Sequence, residues 1–214
     1  MKLSQSRLLR YYLITFVIVA AYLAFFFFVE SLELDYHYLH HPLDDLIPFH
    51  ELAFIPYASW FIYISFTLLV FAHLDPDKYL PLLALIFGGM TICLFINILY
   101  PTAVNLRPEV LPRDNILTDM VRQLHVIDTT TNVCPSIHAY ATIICHLALT
   151  QISSLRKKPV LHVVSWLLCI SICLSIVFLK QHSVIDLFWG AVVAVLFWFI
   201  FKYFCNKSSN TVSK

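Results

Sequence analysis

"LRYYLITFVIVAAYLAFFFFV", Leu9–Val29, is an apolar run whose one charge, Arg10, sits at its edge. At about 1.5 Å per helical residue it covers roughly 30 Å, the thickness of a bilayer's hydrocarbon core. Lipid offers the backbone no hydrogen bonds, so such a run must be a helix or a barrel strand. The short alternating segments of a barrel are missing, and a helix follows. The run is too long for a signal peptide and lacks a small-residue cleavage site, so it reads as a span.

Five more runs of this kind recur: Ala53–Ala72, Leu80–Tyr100, Ser136–Ser154, Val160–Leu179 and Val184–Phe204. The 214 residues are 60% hydrophobic and 13% charged, which places the chain among integral membrane proteins rather than soluble ones. The reading is an all-α, six-transmembrane helix bundle forming a single domain over residues 1–214. A net charge of +1 gives no footprint for nucleic acid. The six cysteines show no CxxC or zinc spacing and read as small buried hydrophobes.

Charge sets the expected orientation. Lys2, Arg7, Arg10, Lys78, Arg156, Lys157, Lys158, Lys202, Lys207 and Lys214 all fall on one side if both termini lie inside. Arg107, Arg113, Arg122 and Lys180 fall on the other, with most of the carboxylates. The outer side then carries two long segments, residues 30–52 and 101–135. In the second, Leu117, Met120, Val121 and Leu124 have helical spacing, which predicts a surface helix over Leu117–Asp128. Tyr36, Tyr38 and Tyr57 suit an interfacial aromatic belt.

Polar residues gather at the outer ends of the later spans. "YPTAVNLRPEV" holds Arg107 and Pro108, "CPSIHAY" holds Ser136 and His138, and "LSIVFLKQHSVIDLFWG" holds Ser175, Lys180, His182 and Asp186. On a helix His182 and Asp186, four apart, share a face, so the carboxylate can fix one ring nitrogen and leave the other free as nucleophile or base. Taken alone, the pair is equally an ordinary helix-end hydrogen bond. Ser136 at a helix start is a standard N-cap or part of an anion cradle. Arg107 and Lys180 are interface anchors or phosphate ligands, and His138 is an interfacial histidine or a general acid. Ser175 by itself is more often a satisfied membrane-helix serine.

Together the three segments resemble the type 2 phosphatidic acid phosphatase (PAP2) superfamily of lipid phosphatases and phosphotransferases, whose pattern is K-x6-R-P, P-S-x-H, then S-R-x5-H-x3-D. Arg107-Pro108 matches the end of the first motif, Pro135-Ser136-Ile137-His138 the second, and Ser175, His182 and Asp186 the third. The family's Lys falls at Tyr100 and its Arg at Ile176; Lys180, in "KQH", is the candidate replacement and marks a variant branch. The resemblance implies a PAP2/vanadium-haloperoxidase-like fold. It also implies a membrane lipid phosphate substrate, such as a phosphatidate-like or polyprenyl phosphate or diphosphate, and no metal or other cofactor. It assigns His182 as nucleophile, Asp186 as its orienting partner and His138 as proton donor and acceptor. Arg107, Lys180 and Ser136, with help from Ser175, would hold the phosphate. The site would lie on the extracytoplasmic side of a multi-pass protein of the cell membrane.

Other classes compete. A head-group phosphotransferase would use the same histidine with an alcohol in place of water. A non-enzymatic transporter or scaffold would be indifferent to His182→Ala. "DYHYLHH" sets His37, His40 and His41 near Asp44 and Asp45, but without the spacing of a zinc site. No GxSxG exists in a chain with three glycines, which argues against a serine hydrolase.

Overall fold

The computed structural model describes residues 5–212, with side chains through residue 204. Within it the chain forms eight α-helices: α1 (Gln5–Glu30), α2 (Pro42–Leu46), α3 (Phe54–Leu74), α4 (Tyr79–Leu99), α5 (Ile116–Ile127), α6 (Ile137–Leu149), α7 (Pro159–Phe178) and α8 (Val184–Val212). Two short strands, β1 (His37–Tyr38) and β2 (Thr102–Ala103), pair in parallel. They tie the segment after α1 to the segment after α4.

Among the described residues, five helical segments are long and apolar enough to cross a membrane: Gln5–Glu30, Glu51–Leu74, Pro76–Leu99, Pro159–Phe178 and Val184–Phe204. They turn large apolar side chains outward, with Phe16 72%, Ile62 70% and Phe199 67% exposed. Surfaces of that kind suit lipid and not water. The fourth run, Ser136–Ser154, forms a helix shorter than expected. Its helix has 13 residues, Ile137–Leu149, about 20 Å long, and turns follow at residues 150–155. Thr150 ends it, its hydroxyl donating to the carbonyl of Leu147 at 2.6 Å.

This short helix is the centre of the bundle. It packs against α8, α7, α4 and α3, and most of its residues are buried, Ala139, Tyr140, Ala141 and Ile144 among them. Helices in lipid gain little from apolar burial against one another, so close packing of small residues holds them together. Two of the three glycines lie on this contact. A Cβ at Gly89 of α4 would sit 1.9 Å from the hydroxyl oxygen of Tyr140, and that hydroxyl donates to the carbonyl of Leu85 at 2.7 Å. A Cβ at Gly190 of α8 would sit 2.6 Å from the carbonyl oxygen of Ser136. The starts of α6 and α8 therefore touch backbone to backbone, and the N–H of Ser136 donates to the carbonyl of Asp186 at 3.2 Å.

At the end where α1 begins, Arg7 pairs with Asp77 at 2.5 Å and Tyr11 stacks on Tyr79. At the other end the two long connecting segments meet over the bundle. The predicted surface helix is present as α5, opened by Asn115, whose side chain accepts from the N–H groups of Leu117 and Thr118. Its Val121 and Leu124 pack against Tyr57, Ile176, Val177 and Leu179, while Ile116, Val126 and Ile127 remain exposed. Tyr57 is therefore not a belt residue: it is 4% exposed beneath α5.

Candidate active site

The turn between α7 and α8 explains how His182 is placed. α7 ends with Lys180 in the left-handed region, φ 58°. The N–H groups of Lys180, Gln181 and His182 fold back onto the carbonyls of Val177 and Ile176, which satisfies the helix end. α8 then begins with a reciprocal cap. The hydroxyl oxygen of Ser183 accepts from the N–H of Ile185 at 3.2 Å, and Oδ2 of Asp186 accepts from the N–H of Ser183 at 2.8 Å. The same Oδ2 lies 3.3 Å from Nδ1 of His182.

That geometry corrects the expected basis of the pair. His182 precedes the first residue of α8, so the two side chains do not meet on a helical face; the cap brings them together. With Nδ1 against the carboxylate, Nε2 is the ring nitrogen left free of that contact.

A second carboxylate, unassigned in the sequence, holds the turn from outside. Asp44 of α2 is 1% exposed. Its oxygens accept from the hydroxyl of Ser183 at 2.6 Å and from the N–H groups of Val184 and His41 at 2.9 Å each. Its carbonyl accepts from Nζ of Lys180 at 2.5 Å. Burial pulls the Lys180 ammonium below its usual range, against the pull of Asp44 and Asp45. Asp44 thus satisfies donors at the start of a helix, where a negative charge is favoured.

His138, in the first turn of α6, is positioned differently. Its ring lies 4.5 Å from Trp60 and 5.0 Å from Tyr57, centroid to centroid, both on α3. It meets the ring of His182 edge-on at 5.6 Å. Its Nδ1 is buried with no hydrogen-bond partner. Both histidines line one cavity of ≈ 280 Å³. The wall is largely apolar, with Leu23 and Phe27 of α1, Phe61 of α3 and Ile127 of α5 contributing.

The expected phosphate ligands are placed as follows. Arg107 is half-buried and does not line the cavity. Its guanidinium donates to the carbonyls of His125 (3.1 Å), Asp128 (2.6 Å) and Thr129 (3.1 Å) and to Oε1 of Gln181. Burial pulls its pKa down, with Asp128, Tyr57 and Glu30 opposing. Ser136 is the N-cap of α6, its oxygen accepting from the N–H of Ala139 at 3.4 Å. Ser175 donates to the carbonyl of Ile172 at 2.6 Å within α7, and Lys180 is engaged with Asp44. The structure therefore brings His138, His182 and Asp186 together, and turns Ser136, Ser175 and Lys180 to local duties.

Gln181 is the residue that motif reading passed over. It is 1% exposed and lines the cavity beside His182. Arg107 occupies its Oε1, so its unpartnered Nε2 is a donor. Of the first amides of α6, that of Ala139 goes to Ser136, while those of Ile137 and His138 are ones that a helix start leaves without a helical partner. The histidines of the first outer segment do other work: His37 stacks on Tyr100, His40 meets Asp45 at 2.9 Å, and His41 caps α2.

The family model described as "PAP2 superfamily" matches residues 78–209, a stretch running from the start of α4 into α8. No curated protein and no solved structure gave a match.

Proposed function

The chain belongs to the PAP2 superfamily, and from that premise we propose that it hydrolyses lipid phosphates through a phosphohistidine. One observation carries the reading: two histidines meet edge to face at 5.6 Å on the wall of an apolar cavity among helices suited to lipid. Nε2 of His182 attacks phosphorus, an N–P bond forms, and the P–O bond to the lipid alkoxide breaks. His138 gives that oxygen its proton. Water then attacks phosphorus, His138 takes its proton, and the N–P bond breaks to release phosphate and His182. Asp186 orients the ring and stabilises its positive charge while phosphorylated. Gln181 Nε2 and the amides of Ile137 and His138 donate to the equatorial oxygens. Arg107 acts on the same oxygens through Gln181 and as a nearby charge, while Lys180, Ser136 and Ser175 hold the elements that carry these groups.

In this reading both termini lie inside, α6 with its flanking turns completes a sixth crossing, and the cavity opens on the extracytoplasmic side of the cell membrane. The short α6 fits because protein surrounds it. The test is the purified protein reconstituted in vesicles with a panel of phosphatidate-like and polyprenyl phosphates, with and without EDTA. We expect phosphate release unaffected by the chelator and a phosphoryl group trapped on His182. Transfer to an added alcohol in place of phosphate release would instead identify a head-group phosphotransferase. A folded protein inactive throughout would point to a transporter or scaffold.

A further inference from the structure

The same cavity has a second polar wall, and its chemistry is opposite in sign to that of a phosphate cradle. Glu30 at the end of α1, Asp128 after α5, and Asn132 before α6 all line it. Glu30 accepts from the hydroxyl of Thr129 and from Nδ2 of Asn132, the latter at 2.9 Å; Asp128 accepts from the hydroxyl of Tyr57 at 2.7 Å. Among the described residues neither carboxylate forms an ion pair.

Asn132 supplies an independent sign of a ligand. It is 8% exposed, and its Oδ1 has no partner. The amide orientation is fixed, because Nδ2 faces Glu30 and Thr131 Oγ1. The backbone is fixed as well. Asn132 stands in the left-handed region, φ 56°, which Asn tolerates better than most residues. Its carbonyl accepts from Nδ2 of Asn97 at 2.9 Å. A buried oxygen held this firmly without a donor is costly unless a ligand supplies one.

The charges around the cavity agree. Among the described residues, Glu30 and Asp128 are the carboxylates of the lining, no Lys or Arg is part of it, and Lys180 is engaged with Asp44. Burial and Arg107 hold His125 at about 4, so it is neutral near pH 7. A bare phosphate dianion would add negative charge to a cavity already negative. A ligand with a cation near its phosphorus would not.

Resting on the phosphoryl-transfer reading above, we propose that Glu30, Asp128 and Asn132 Oδ1 form a subsite for an ammonium group carried a few bonds from the phosphoryl group of the substrate. The donor wall at Gln181 then takes the phosphate, and the acceptor wall takes the amine, whose three N–H donors match the acceptors there. The amine comes either from the lipid base of an amino-lipid phosphomonoester or from the head group of an aminoalkyl phosphodiester.

The experiment compares three lipids of equal chain length in vesicles: an amino-lipid phosphomonoester, its N-acetyl derivative, and the analogue with hydroxyl in place of amine. An aminoalkyl phosphodiester is run beside them to distinguish the two sources. Wild-type protein is expected to favour the amine by at least about tenfold in kcat/KM, with the preference falling toward one in Glu30→Gln and in Asn132→Gly. Binding of the same three lipids to the His182→Ala protein reads the subsite without chemistry, and the same preference is expected there. Equal binding of all three, or a preference untouched by Glu30→Gln, overturns the subsite. Turnover of all three at equal rates overturns it too while leaving the phosphatase reading intact; preference in binding without turnover does the reverse.

Discussion

The starts of α6 and α8 are neighbours, each carries a histidine, and the two are held by different physics. At α8, His182 sits in a net of hydrogen bonds: Asp186 meets its ring, Ser183 caps the helix, and Asp44 reaches in from α2 to hold Ser183 and Val184. At α6, His138 has ring neighbours and an unpartnered Nδ1. In the proposed mechanism the two have different tasks: a nucleophile must return to one geometry and keep one nitrogen free, which directed hydrogen bonds provide. A group that gives and then takes a proton must bond to nothing permanently, and aromatic packing holds such a ring without occupying its nitrogens.

That contrast can be broken experimentally. His182→Ala should have the largest effect, lowering phosphate release to background and leaving no phosphorylated protein on acid quench. His138→Ala should cost about 10²–10⁴-fold, and a substrate whose leaving group needs no proton should recover part of that loss. Recovery in the His182 variant instead would reverse the two roles. Gly190→Ala should disturb both histidines at once. Its Cβ would press on Ser136 and Ala139, and overpacking of this kind costs about 1–3 kcal/mol, readable as a lower melting temperature together with lost turnover. Asp44→Ala strips acceptors from buried donors at the start of α8 and from the His41 N–H at the start of α2, leaving α6 untouched, at roughly 1–3 kcal/mol; Asp44→Asn should restore part of the stability, since its oxygen still accepts.

The smallest effect concerns pH. His125 stands at about 4 when folded, through burial and the nearby Arg107, against about 6.5 in an unfolded chain. The unfolded state therefore binds the proton more readily, so stability should fall as pH drops below about 6.5 and stop falling below about 4. Melting curves at pH 7 and pH 5 should differ, and His125→Gln should shrink the difference.

Much of this was legible in the chain. The long spans follow from apolar runs, because lipid imposes one solution on them. α6 departs from that reading: the run Ser136–Ser154 closes on the mostly polar Thr150–Ser154, which a span-length window takes in but the helix does not. The motifs single out His182, His138 and Asp186, and the structure brings the three together. The route by which Asp186 reaches His182 was not legible, because a capping box and a helical i, i+4 face have similar spacing. Asp44 lies 139 residues from Ser183, and no local pattern reports such a partner. For Arg107, position in a motif does not reveal that loop carbonyls and Gln181 engage its Nη atoms while its Nε stays unpartnered.

The contact at Gly190 has a consequence for how this protein can change over time. Elsewhere in the bundle one apolar side chain can drift to another of similar volume. Gly190 has no such neighbours in sequence space, since the smallest step adds a carbon where the carbonyl of Ser136 already stands. A position that touches no substrate should therefore be as invariant among functional descendants as the histidines, and a survey of tolerated substitutions would rank it beside them.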